Sequence, residues 1–410
     1  MDMLEQAQCL RKRLRIAFVT ETYPPEINGV SLSTARFIRG LRKRNHAIEL
    51  VRPRQQREAH DADAHAGDID EVLVPGVPIP RYPDLRMGLP AKRLLARRWA
   101  RNPPDLVHIV TEGPLGWSAL RAAEESCLPV TSDFRTNFDA YSRHYGAGWL
   151  QKPVLAYLKQ FHNRTRRTLV PTEQQRQKLA SAGFSNLEIV ARGVDTQLFN
   201  PARRSESLRR SWGAGPDDIV VMHVGRLAPE KNLRLLSATL RVVQARNAAT
   251  RVVVVGDGPA RGFLQQAHPR AIFAGTRSGE ELAAHYASGD LFVFPSLTET
   301  FGNVTLEAMA SGVAVLAFDY AAAAKHIRHG TNGYLVPYGD EPAFYRLAAD
   351  IAANTSALRE SGKAARHAAA QLDWDRVVRE LETLFMAVVE TENVSRIETG
   401  PRVSWTPAQT

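Results

Sequence analysis

The chain has 410 residues, two to four times the usual domain length of about 100 to 200, so it holds more than one domain and each can bury its own core. A hydrophobic fraction of 44%, 23% charged residues and no apolar run of about 18 residues exclude an integral membrane protein, and two lone cysteines, Cys9 and Cys127, exclude a disulfide framework or a thiolate zinc site. The 53 Lys and Arg against 43 Asp and Glu give a formal net charge of +10, which suits nucleic acid, a phospholipid surface, a phosphorylated substrate, or a basic surface with no partner.

The short, soon interrupted apolar stretch after the basic cluster of Arg11 to Arg15 is not a secretory signal, and with so few cysteines the expected location is cytoplasmic. In chain order, β-rich apolar runs at 14–20, 47–51, 106–110, 129–132, 167–170 and 187–190 alternate with helical patterns. A second series follows at 219–224, 251–255, 271–274, 291–295, 314–317 and 333–336. This alternation predicts an α/β protein with two doubly wound parallel sheets. The boundary falls near 193–215, where Asn200-Pro201 and the polar run from Arg203 to Arg210 interrupt the alternation, so the domains are placed at 1–199 and 200–390. Residues 54–70 read as an exposed excursion and 391–410 as a disordered tail. Parallel sheets bind ligands beyond the carboxyl ends of their strands, so two facing sheets offer two ligands to each other across a cleft.

The stretch 294–312 carries most of the chemistry. A buried strand ends at Pro295, a polar loop holds Glu299, and a helix begins near Gly302 or Asn303, passes Glu307 and stops before Gly312. The helix start is an anion site, with Gly302 allowing close approach to the backbone. Carboxylates beside an anion make sense if they accept hydrogen bonds from sugar hydroxyls, so Glu299 and Glu307 are candidates for polyol recognition; an acid early in a helix is also favoured by the dipole alone. In 224–232, Arg226 leaves a strand end and Lys231 sits at a helix start, where a cation is unfavourable unless an anion lies between. Fixed cations there would stabilise a departing diphosphate. The alternative is a salt bridge such as one made by Glu230. In 18–31, Asn28-Gly29 precedes a helix capped at or near Ser31, giving the first domain its own backbone approach to a phosphate or sugar.

Together with Gly193-Val194-Asp195, Gly256-Asp257-Gly258-Pro259 and the Glu299/Glu307 pair with seven residues between, these motifs make the chain, from about 14 to 386, resemble the retaining GT-B glycosyltransferases of family four. The likeness extends to the bacterial GDP-mannose-dependent α-mannosyltransferases. It implies a GT-B fold of two Rossmann-like domains facing a central cleft, and transfer of a hexose, mannose from GDP-mannose first, to an acceptor hydroxyl of a glycolipid or lipid-linked glycan. It also implies that Arg226 and Lys231 hold the nucleotide diphosphate and that Glu307 holds the ribose. Glu299 with the backbone of Thr300, Phe301, Gly302 and Asn303 would take the donor sugar and phosphates, and Gly29 would approach the donor from the first domain. A nucleotide diphosphate sugar is the co-substrate, and no metal or other cofactor is expected. A UDP-sugar donor, or a non-catalytic peripheral membrane protein of the same fold, are the alternatives.

The chain departs from the family at 132–137, where Arg135 stands in place of an imidazole that contacts the donor sugar; its planar fork could hold an anionic acceptor or sugar, or pair with Asp133 or Asp139. Ala321 to Ala324 replace a glycine pair, and Lys325 replaces an acid. His108 interrupts an apolar strand and faces either the core or the acceptor side of the cleft, so His108 and Arg135 are the acceptor candidates. The triplets Asp61-Ala62-Asp63, Asp68-Ile69-Asp70 and Asp373-Trp374-Asp375 do not follow buried strands as a metal-holding pair would, and His60 and His65 lie in the excursion. Basic clusters at Arg39 to Arg44, Lys92 to Arg98 and Arg164 to Arg167 mix with apolar residues in the first domain and suit contact with an anionic membrane surface, or are plain solvated helix faces. No nucleic-acid module accompanies them.

Overall fold

The computed structural model describes residues 13–26, 28–55, 69–79, 82–135 and 151–399, except for the side chains of 79, 82–85, 151 and 395–399. Asp61, Asp63, Asp68, His60, His65, Arg11, Asn137, Asp139 and 400–410 lie outside the described residues.

Two parallel sheets form the frame. The first has the order β3-β2-β1-β6-β7-β8-β9, built from β1 (Arg15–Val19), β2 (Ala47–Pro53), β3 (Asp70–Val74), β6 (Leu106–Ile109), β7 (Val130–Asp133), β8 (Arg167–Val170) and β9 (Leu187–Ile189). The second, β12-β11-β10-β13-β14-β15, contains β10 (Val220–Val224), β11 (Arg251–Val255), β12 (Ile272–Gly275), β13 (Leu291–Phe294), β14 (Ala314–Phe318) and β15 (Tyr334–Val336). Each of the twelve runs read as strands forms one, because continuous apolar stretches such as Arg251–Val255 are buried on both faces, as helix-covered parallel strands must be.

Three strands are additional to that reading. β3 lies at the sheet edge, where one side needs no partner and Asp70 and Glu71 are tolerated. β4 (Gly76–Ile79) and β5 (Tyr82–Gly88) form an antiparallel hairpin whose prolines and short alternation gave no strand signal.

The end of the chain is the main correction. Residues 391–399 continue a helix, Trp374–Thr399, rather than forming a disordered tail. Its apolar face, Val377, Val378, Leu381, Phe385, Val388 and Val389, packs on Leu14, Phe18, Phe37 and Leu41 of the first domain. Gly40 permits this approach, since a Cβ there would lie 2.5 Å from Val378. Glu382 accepts from Arg44 Nε at 2.6 Å and pairs with His46 Nε2 at 3.0 Å, and because His46 Nδ1 accepts from the Leu14 N–H, it is Nε2 that carries the proton. The boundary at 390 therefore gives way: from Trp374 onward the chain packs on the first domain. The two crossings between domains are tied to each other, with the Val194 N–H donating to the Leu372 carbonyl at 2.8 Å. No helix among the described residues is long and apolar enough to cross a membrane.

Ala321 explains part of the changed glycine pair. It opens the helix Ala321–His326 at φ 54, a left-handed conformation that costs an L-residue about 1–2 kcal/mol and glycine almost nothing. Ala321 also buries its methyl, worth about 0.8 kcal/mol, so the two effects nearly cancel. Ala321→Gly is thus expected to leave stability unchanged or raise it by up to about 1 kcal/mol, whereas Ala322→Gly, buried at an ordinary helical φ, loses about 1 kcal/mol or more. Urea midpoints of the two variants check this, and equal losses would refute the strain.

Candidate active site

The second sheet reverses its winding between β10 and β13, and the loops after those strands meet there, at the position where open parallel sheets bind ligands. From the first loop, Lys231 ends the 3-10 turn Pro229–Lys231, and Asn232, left-handed at φ 52, leads into the helix Leu233–Arg246. Lys231 Nζ donates to Glu299 Oε1 in the second loop and lies 5.6 Å from the Phe294 ring centre. Glu299 Oε1 also accepts from Ser296 Oγ at 2.7 Å, and Thr298 Oγ1 donates to the Glu230 carbonyl at 3.0 Å, tying the two loops together. Burial pushes the Glu299 carboxyl up, but the charge of Lys231 and the hydrogen bonds from Lys231 and Ser296 hold it below its ordinary value. Ion pairs form both between the loops and within one: Lys231 takes Glu299, and Glu230, the expected alternative partner, pairs with Arg226 at 3.8 Å, leaving the Arg226 side chain 41% exposed.

The helix Asn303–Ala310 begins at Gly302, left-handed at φ 88 and without a side chain to cap the first turn, so the positive end of the dipole faces the cleft. Across the cleft, the helix Gly29–Lys43 presents its own start. Its cap is Asn28 rather than Ser31: the Asn28 side chain accepts from the Val30 and Ser31 N–H groups at 3.1 and 2.9 Å. A Cβ on Gly29 would lie 3.8 Å from Asn303 Nδ2, so the two helix starts oppose each other at close range. Thr300 Oγ1 donates to the Arg135 carbonyl of the first domain at 2.9 Å, and the carbonyl of buried Phe301 accepts from Ala322 N–H at 2.8 Å. Gly256, by contrast, is a packing residue, since a Cβ there would meet the Gly225 carbonyl at 2.0 Å.

One turn into the helix Asn303–Ala310, Glu307 accepts from Tyr286 Oη at 3.1 Å. Burial lifts its carboxyl from 4.5 to about 7, opposed by that hydrogen bond and by the charge of Arg36 from the first domain. Between pH 4.5 and 7 the native state therefore binds this proton more tightly than the unfolded chain, so stability is present at low pH and lost as pH rises through about 7. Glu307→Gln keeps an acceptor for Tyr286 and removes this loss. The variant is expected to match the parent at pH 4 to 5 and exceed it by about 1 kcal/mol at pH 8, the carboxyl being partly solvated. Parallel stability profiles for the two proteins would overturn this.

The arrangement brings together two cations, an uncapped helix start and two carboxylates with seven residues between them, all from the second domain, with Gly29 facing them. Sequence comparison adds to it. A family model described as Glycosyltransferase Family 4 matches 27–198, and one described as Glycosyl transferases group 1 matches 218–354. A GDP-mannose-dependent alpha-mannosyltransferase of Mycobacterium tuberculosis is 34% identical over 92% of this chain and 97% of its own length. The chain is a family-four glycosyltransferase. A sulfoquinovosyl transferase of Arabidopsis thaliana is 30% identical over 90% of this chain and 72% of its own length. The crystal structure of HepE from Anabaena with UDP and glucose superimposes with a TM-score of 0.71 at 18% identity, covering 92% of this chain and all of that one, which shows the shared GT-B fold.

The two acceptor candidates of the glycosyltransferase are turned inward. His108 is fully buried, its ring 5.0 and 5.1 Å from those of Phe18 and Phe385, with Nδ1 bonded to Thr131 Oγ1 at 2.9 Å. It has no exposed atom to offer an acceptor, and burial lowers its pKa, opposed by Asp133. Arg135 is 5% exposed at its side chain and spends its fork on neighbours: Nε donates to Asp133 Oδ2 at 2.6 Å, and Nη1 donates to Ser33 Oγ and, at 3.4 Å, to the Val30 carbonyl. Pairing with Asp133, one of the two expected alternatives, is what the structure contains.

Several groups of the site carried no sequence signal. Tyr286 reaches Glu307 from a neighbouring helix, Arg36 pairs at 2.8 Å with Asp195 beside the crossing between the domains, and Arg192 joins the buried Asp133 group. Of the aspartate triplets, Asp373 caps the last helix through its bond to the Arg376 N–H at 2.8 Å.

Proposed function

We propose that this glycosyltransferase moves mannose from GDP-mannose, with retention, to a hydroxyl of a glycolipid or lipid-linked glycan. The observation that carries the reading is the Lys231–Glu299 pair beside the open start of Asn303–Ala310, in a chain whose relatives include the mycobacterial GDP-mannose-dependent enzyme. Arg226, Lys231 and the helix dipole would hold the diphosphate and stabilise the charge that develops as its bond to the sugar C1 breaks. The acceptor oxygen bonds to C1 on the same face, its proton passing to the departing phosphate oxygen, so no side chain need act as base. Glu307 would accept from ribose hydroxyls and Glu299 from the sugar, while the main chain of 300–303 lines the phosphates. Metal is not assigned a part in this scheme.

A lipid acceptor calls for contact with a membrane surface, and the helix Lys92–Arg101 fits it. Leu95 and Trp99 anchor the helix in the core, and Arg93, Leu94, Arg97 and Arg101 face outward, beside exposed Leu89 and near the hairpin with exposed Val77. The cluster at Arg164 and Arg166 is instead engaged with Glu124 and Glu392.

Thermal stabilisation by GDP, UDP, ADP and their sugar conjugates, without metal and then with Mg²⁺, tests the donor; a ligand at 100 times its Kd stabilises by about 2.7 kcal/mol. A metal-independent shift confined to GDP and GDP-mannose is expected. A shift with UDP conjugates alone would replace the donor, and no shift with any nucleotide would sink the enzymatic reading.

A further inference from the structure

Under the cleft lies a buried charge cluster of three residues from two segments of the first domain. Asp133 ends β7 with no exposure; Arg135 follows it, and Arg192, also 5% exposed at its side chain, lies 3.8 Å from the other Asp133 oxygen. Both guanidiniums lie over the Phe37 ring, at 5.6 and 5.3 Å. A buried cation is costly, and a hydrophobic side chain of similar volume would often serve stability as well. What such a chain could not supply is the set of directions in which Arg135 bonds.

Through its side chain Arg135 joins β7, at Asp133, to the first turns of the helix that begins at Gly29, at Val30 and Ser33. Through its main-chain carbonyl it receives Thr300 from the donor loop of the other domain, at 2.9 Å. Thr300 is two residues from Gly302 and three from Asn303, the residue that faces Gly29. Arg135 is therefore bonded to both sides of the gap between the two helix starts.

We propose that Arg135 is a positioning residue: through Asp133 and Ser33 on one side and Thr300 on the other it sets the spacing of Gly29 over the donor-helix start in the closed cleft, and it does not touch the acceptor. This rests on the donor site of the proposed function. The nucleotide is held mainly by the second domain, so loosening the Arg135 links leaves nucleotide affinity intact and lowers the rate of the closed complex. Misplacement by about 1 Å of groups that must be aligned costs up to about 10²-fold in rate.

Thr300→Val removes the hydroxyl from one arm without changing its volume, and Ser33→Ala removes the other. Each is expected to lower kcat about tenfold with the Kd for the nucleoside diphosphate within about twofold of the parent, and the double variant to lose less than the product of the two, since both arms act through one residue. Arg135→Lys, which keeps the charge beside Asp133 but cannot bridge to Ser33 as a fork, is expected to recover only part of the kcat lost in Arg135→Ala. Unchanged kcat in both Thr300→Val and Ser33→Ala overturns the proposal, as does a rise in acceptor KM at constant kcat in Arg135→Ala, which would make Arg135 an acceptor contact. If the parent protein binds no nucleotide, the donor reading fails separately. The spacing can still be read by pulsed electron resonance between spin labels on the two domains, where an unchanged distance distribution in Thr300→Val overturns the link.

Discussion

Lys231→Ala is expected to lower kcat by about 10³-fold while the melting temperature moves by only a few degrees. In the proposed reaction the cation faces the negative charge that develops on the leaving diphosphate, and removal of one fixed donor from such a position costs about 10²–10³-fold in known cases. Glu299→Ala should be comparably damaging for a second reason. In the folded protein the two groups are bonded to each other at side-chain exposures of 18% and 14%, so removing either leaves its partner partly desolvated and free to turn away from the substrate. The losses are consequently not additive: the double variant should be about as slow as the worse single variant. The pair is only partly buried and makes a modest contribution to stability, so urea unfolding of all three variants should show similar midpoints. Near-normal turnover in both single variants would remove Lys231 and Glu299 from the chemistry, and a multiplicative double variant would show that their bond does not matter to it.

Asp133→Ala should destabilise the first domain by about 3–5 kcal/mol, the range found when one partner is removed from a buried ion pair. Burial by itself would raise the Asp133 carboxyl, but Arg135, Arg192 and His108 together hold it well below the ordinary carboxylate range. The sign follows from linkage: a depressed native value gives stability that is present above the unfolded pKa of about 3.9 and lost as pH falls below it. Burial and the neighbouring charge of Arg135 already draw Arg192 down to about 9, and Asp133 is what opposes them. Without Asp133, two guanidiniums share a site that has lost its anion. Asp133→Asn, which keeps the shape and one acceptor, should cost less than Asp133→Ala. Urea midpoints at pH 7 measure both, and a loss under about 1 kcal/mol for Asp133→Ala would mean that water reaches this cluster.

Much of the architecture, and the placement of the residues proposed to hold the donor, was legible in the sequence, for a shared physical reason. Continuous apolar runs separated by helical patterns can be buried only as helix-covered parallel strands, so twelve strands and the two-sheet organisation followed from composition along the chain. Arg226, Lys231, Glu299, Gly302 and Glu307 could be placed because each stands within a few residues of a strand end or helix start, and such positions are local properties of the sequence. The edge strand Asp70–Val74 and the hairpin were not legible, since strands with a solvent-facing side need no apolar run.

What the chain by itself determined, then, is which segments form elements and which loops carry charge. The tertiary structure decided which charges meet: Lys231 with Glu299 across 68 residues, Tyr286 with Glu307, Arg36 with Asp195, Thr300 with Arg135 across 165 residues. It also turned His108 and Arg135 inward and returned the last helix to the first domain. Hydrogen bonds and ion pairs are satisfied at about 3 Å in space whatever the distance along the chain, and where several partners of the right chemistry exist, only packing of the folded elements selects one.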